Sequence, residues 1–110
     1  MYRINLGEFE ELVLLIVGVL NEDAYGVGVM EEIENQTGRS VNISAVHSAL
    51  RRLEEKGFLK SLMGGATAER GGRRKRIFQL THGGKIAISQ VKELRNKLWH
   101  QIPDLGLERQ

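Results

Sequence analysis

Cysteine is absent from the 110 residues, proline occurs once, at Pro103, and the aromatics number six: three Phe, two Tyr and one Trp. The missing thiols exclude a disulfide scaffold, a thiolate nucleophile and a Cys-ligated zinc. A chain of this length buries roughly two-thirds of its unfolded surface, enough for one modest core without such staples. Long hydrophobic runs are also lacking. The longest, Leu12 to Leu20, has nine residues, half of the roughly 18 needed to cross a bilayer. No charged stretch with a small-residue cleavage site precedes it, so a cytoplasmic domain with no membrane partner is expected. Catalytic motifs are missing too. His47, His82 and His100 share no ligand spacing, no G-x-S-x-G occurs, and Gly83-Gly84-Lys85 lacks the earlier glycine of a P-loop. Neither an enzyme, a bound metal nor a cofactor is expected.

Charge is present, and it is unevenly distributed. The formal net charge is +2, yet residues 1–38 carry one base, Arg3, against eight acids, a net −7. From Arg39 onward 15 bases face six acids, a net +9. The densest stretch, Glu69 to Arg76, sets Arg70, Arg73, Arg74, Lys75 and Arg76 against one Glu. Such asymmetry suggests an acidic partner for one part of the molecule.

Asn5 followed by Glu8 has the spacing of a capping box, opening a helix with Phe9, Leu12, Val13, Ile16 and Leu20 at helical intervals. Leu14, Leu15 and Val17 make this helix apolar nearly all round, so it must be covered on most sides. After Asn21-Glu22-Asp23 a second helix is expected from about Gly26, with Val27, Met30 and Ile33 inward and Gly38 as its stop. Asn42 is a good cap for a third, whose inner stripe is Ile43, Val46, Leu50 and Leu53 and which Gly57 ends. Phe58 to Met63 and Arg76 to Leu80 read as a hairpin with a glycine-rich, basic tip. Thr81 then caps a last helix, in which Ala87, Val91, Leu94, Leu98 and Ile102 recur at helical intervals up to Pro103.

The fold expected from this order is mainly helical, α+β in class: a winged helix-turn-helix over residues 1–82, a C-terminal dimerisation helix over 83–103 and a flexible tail over 104–110. In such a domain the third helix enters the major groove of double-stranded DNA and the hairpin tip, the wing, reaches phosphates or the minor groove. Asn42, Ser44, His47, Ser48 and Arg51 form the candidate reading face of helix three, and Arg70, Arg73, Arg74, Lys75 and Arg76 the candidate wing contacts. The last apolar stripe runs about 19 residues, near 28 Å, more than the small domain can cover. A second copy could cover it, with Phe9, Leu12, Ile16, Val91, Leu94 and Leu98 as the candidate homodimer interface. Trp99, alone on that helix, offers a flat face to an aromatic small molecule lying between subunits, or simply packs there. A winged helix used for protein contacts without DNA is the alternative, as is a regulator that needs no ligand.

Tyr25-Gly26 before helix two, Ala49-Leu50-Arg51-Arg52-Leu53-Glu54-Glu55-Lys56-Gly57 closing helix three, and Gly71-Gly72-Arg73-Arg74-Lys75 followed by Leu80-Thr81 and Gly84 together resemble the PadR family of bacterial transcriptional regulators. The resemblance runs from about Leu6 to Ile102, and the single short last helix is similar to the smaller subfamily. It implies a homodimer built by the first and last helices that represses transcription until a phenolic or other aromatic effector releases it. Two positions depart from the family pattern. His47-Ser48 stand where a Tyr-Pro pair is usual in helix three, and Phe78 where a wing-strand Tyr is usual, so the operator sequence does not transfer from relatives.

Overall fold

The computed structural model describes residues 6–64 and 75–103. Four helices and one antiparallel hairpin follow in the order α1 (Glu8–Leu20), α2 (Gly26–Thr37), α3 (Ile43–Glu55), β1 (Leu59–Met63), β2 (Arg76–Leu80) and α4 (His82–Gln101), with a single 3-10 turn at Asn21–Asp23. This is the winged helix-turn-helix order expected from the sequence.

Local chemistry accounts for most of the boundaries. Asn42 Oδ1 accepts from the Ser44 N–H at 2.6 Å, and Thr81 Oγ1 from the Gly84 N–H at 3.0 Å, so α3 and α4 start on side-chain caps. Gly38 and Gly57 hold φ of 73° and 84°, the left-handed conformation that ends α2 and α3. Beyond Gly57 the Phe58 N–H reaches Leu53 O at 2.9 Å and the Gly57 N–H reaches Glu54 O at 3.0 Å, which turns the chain into β1.

The start of α1 differs from expectation. Asn5 lies outside the described residues; the helix begins at Glu8 with Gly7 as its cap, and the Gly7 N–H donates to Glu10, not Glu8. Glu10 is held in place by contacts the local sequence does not contain. Arg52 Nε donates to its Oε2 at 2.8 Å and Lys56 Nζ to its Oε1 at 2.6 Å, while Glu8 turns outward to Arg39 Nη1 at 3.0 Å.

Val13, Leu14 and Val17 of α1, Val29 and Ile33 of α2, and Val46, Leu50 and Leu53 of α3 form the fully buried centre, closed by Phe58, Leu59, Phe78 and Ala87. Val27, expected inward, is 44% exposed. Gly26 and Val29 take the inner positions instead, because the start of α2 packs its glycine directly against α3. The hairpin pairs Leu59 with Leu80 through Met63 with Arg76. It is joined to the helices where the Phe78 N–H donates to Ala24 O at 2.7 Å.

Gly84 lets α4 approach the Phe58 carbonyl so closely that any Cβ there would overlap it. After Ala87 and the half-buried Val91 the helix leaves the core, and every residue from Lys92 to Gln101 is exposed. Arg95 pins it to α1 with a two-pronged pair to Glu11, Nη2 to Oε1 at 2.7 Å and Nε to Oε2 at 3.1 Å. Among the described residues no single helix is long and apolar enough to cross a membrane.

Candidate nucleic-acid interface

The inner stripe of α3 is consumed by the core, so its opposite face must look outward. Ser44, His47 and Arg51 lie exposed along that face, Asn42 is exposed at its start, and Ser48 is half-buried. Asn42 already uses its side-chain oxygen as the helix cap. Arg51 has no ion-pair partner among the described residues.

His47 is seated against α2. A Cβ on Gly26 would stand 2.5 Å from His47 Cε1, so the missing side chain is what admits the imidazole. Beside this contact an open groove of about 580 Å³ lies between the start of α2, the outer face of α3 and the base of β2. Tyr25, Gly26, Val27, His47, Arg51, Glu54, Lys75, Arg76 and Phe78 line it. It therefore gathers His47 and Arg51 from helix three with Lys75 and Arg76 from the wing. Arg70, Arg73 and Arg74 fall outside the described residues.

Two of the cations are oriented by neighbours. Arg76 Nη1 donates to Ser61 Oγ at 3.0 Å, and Ser61 donates onward to Glu54 Oε2 at 2.8 Å, a chain that ties the hairpin to the end of α3. The Lys75 ammonium sits 3.4 Å from the centroid of the Tyr25 ring. The bases at the end of α3 and just beyond it are spent. Arg52 and Lys56 both bind Glu10, whose burial favours the neutral acid; these two donors and the Gly7 N–H outweigh that and bring its pKa down to about 2. Carboxylate and cations here act as a structural node, and nothing in the sequence pattern marked Glu10 for it.

The expected dimer residues separate into two groups. Ile16 is 4% exposed and belongs to the chain's own core, a correction to its expected place at a subunit interface. Phe9 and Leu12 are half-buried against that core, and Phe9 also lies beneath the Arg39 guanidinium at 5.3 Å. Val91 is half-buried, whereas Leu94, Leu98 and Trp99 are 50%, 52% and 50% exposed. Ile102 continues the same uncovered stripe. Among the described residues no cluster of His, Asp or Glu could hold a metal ion.

Residues 13–90 match the model of a family described as the transcriptional regulator PadR-like family. An uncharacterised protein of Lysinibacillus sphaericus is 28% identical over 102 residues, which is 90% of this chain and 84% of that one. Among solved structures, a PadR-like transcriptional regulator of Bacillus cereus superposes with a TM-score of 0.71 at 14% identity, covering 90% of this chain and 91% of its own. A PadR family transcriptional regulator of Eggerthella lenta gives 0.69 at 21% identity, with coverage of 92% and 88%.

Proposed function

The chain belongs to the PadR-like family of transcriptional regulators, DNA-binding proteins and not enzymes, and from that premise we propose a homodimeric repressor that an aromatic small molecule releases from its operator. The observation that carries the DNA-reading part is the groove that brings His47, Arg51, Lys75 and Arg76 onto one exposed surface. Cations from two elements converging there suit the phosphate spacing of a duplex, and Ser44 and Ser48 are short enough to let α3 approach base edges. In this reading the wing arginines Arg70, Arg73 and Arg74 add sequence-independent affinity for phosphates.

The exposed stripe of α4 supports dimerisation. Val91, Leu94 and Leu98, followed by Ile102, recur as an apolar stripe that a second copy would cover, with Phe9 and Leu12 on α1 and the exposed Trp99 about 100° round the helix from Leu98. A two-fold pair would set two α3 helices about 34 Å apart, one turn of DNA. Trp99 would then border the gap between subunits, where its indole face suits a flat aromatic effector.

The test is fluorescence anisotropy on DNA from upstream of the chain's own gene, repeated with random duplex and with a panel of aromatic compounds. A repressor of this kind binds the upstream DNA at least about 10³-fold more tightly than random DNA, and one class of compound displaces it. Equal affinity for both duplexes would contradict sequence-specific reading. In sedimentation the protein should run as a dimer and Leu94→Asp as a monomer; an intact Leu94→Asp dimer would contradict the assigned interface.

A further inference from the structure

The wing leaves the body of the domain at Phe78, whose ring is buried and whose N–H is tied to Ala24 O at 2.7 Å. Three residues further out, Lys75 is fixed from two sides. Its carbonyl accepts from the Gly64 N–H at 2.6 Å across the hairpin, and its ammonium lies 3.4 Å from the Tyr25 ring centroid. The ring itself has a built seat. Gly28 of α2 leaves room for it: a Cβ there would stand 3.1 Å from Tyr25 Cε1, tighter than an ordinary contact. Lys75 and Tyr25 thus join the outgoing strand to the segment that starts α2, one residue before the glycine that seats His47.

We propose that Tyr25 is a positioning residue for DNA binding, whose aromatic face, and not its hydroxyl, holds the base of the wing at a set distance from the reading face of α3. This rests on the DNA-binding reading above. The physical reason is one of register. Phosphates on a duplex are rigidly spaced, so cations on two elements engage them together only if the elements are fixed to each other. The Phe78–Ala24 hydrogen bond fixes β2 where it meets the core, and the ring contact carries that constraint three residues outward to the start of the basic segment. A cation over an aromatic face is worth a factor of roughly two to five at exposed sites and up to about thirty when desolvated.

The test combines a readout without DNA and one with it. In the free protein the Lys75 side-chain methylene protons next to the ammonium should be shifted upfield by the ring current in the wild type and in Tyr25→Phe, and return to ordinary positions in Tyr25→Leu. On upstream DNA, Tyr25→Phe should bind within about twofold of wild type, Tyr25→Leu about three- to tenfold more weakly, and Tyr25→Leu with Lys75→Met no more weakly than Lys75→Met alone. Should Tyr25→Leu not fold, Tyr25→Met, an unbranched apolar replacement that also lacks the aromatic face, is expected to give the same signature. Wild-type affinity in Tyr25→Leu, equal losses in Tyr25→Phe and Tyr25→Leu, or additive losses in the double variant would each overturn the proposal. A wild-type chain that binds no DNA would instead bring down the functional reading and Tyr25's role with it, while the ring-current shift of Lys75 stood unchanged.

Discussion

On α3, Arg51 faces the open groove beside His47, whereas Arg52, one residue and about 100° of helix rotation away, donates its Nε to the buried carboxylate of Glu10 at 2.8 Å. Lys56, four residues further on, lies on the Arg52 side and reaches the other oxygen of the same carboxylate. A count of charges treats these three cations alike. Their positions on the helix separate them: two are consumed in fastening α3 to α1, and Arg51 is left facing solvent. What distinguishes a structural cation from one available to a partner is therefore the acid its face of the helix happens to meet. The acid in turn is displaced from its ordinary behaviour. Glu10 stays ionised down to about pH 2 although burial opposes its charge.

Breaking the node is the largest perturbation this contrast offers. Glu10→Gln leaves two cations facing a neutral amide, and the loss should be about 2 kcal/mol in urea denaturation, less than the usual cost of a fully buried pair because Arg52 is half in water. The difference should depend on pH in a defined direction. A carboxylate with a lowered folded pKa contributes its full stabilisation above its unfolded value near 4.5, and loses it as pH falls from there towards 2. Wild type and Glu10→Gln should therefore converge in stability on acidification, and a constant gap from pH 7 to pH 2 would contradict the assignment. Arg52→Ala removes one of the two donors and should cost about 1 kcal/mol, since Lys56 still holds Glu10. The smallest effect belongs to Glu8→Gln, which breaks the exposed pair with Arg39: about 0.5 kcal/mol or less, and less still in high salt.

The same contrast explains what could be read from sequence. Caps and stops were legible because they depend on one or two neighbouring residues: Asn42 and Thr81 begin their helices, and Gly38 and Gly57 end theirs, as the sequence suggests. The outer face of α3 was legible because Val46, Leu50 and Leu53 define its complement by periodicity alone. Misreadings arose where distant residues decide. The cap of α1 moved from Asn5 and Glu8 to Gly7 and Glu10 because Arg52 and Lys56 hold Glu10 from 42 and 46 positions away. Val27 pointed out because the close seat of His47 on Gly26 sets the rotation of α2. Ile16 looked available to a partner because a helix apolar on nearly every side does not declare which side its own domain will cover. Tyr25 stands beside Gly26 in the sequence, but nothing local pairs it with Lys75, which lies far along the chain and meets its ring only in the fold.

In the proposed function Arg51 serves DNA while Arg52 serves the fold, and the salt dependence of DNA affinity in Arg51→Ala and Arg52→Ala tests that division most directly. If Arg51 neutralises a phosphate, its loss should weaken binding about tenfold and lower the slope of log affinity against log salt by about 0.9. Arg52→Ala should leave that slope at the wild-type value while lowering the denaturation midpoint. Equal changes of slope in both variants, or a change in Arg52→Ala alone, would contradict the division.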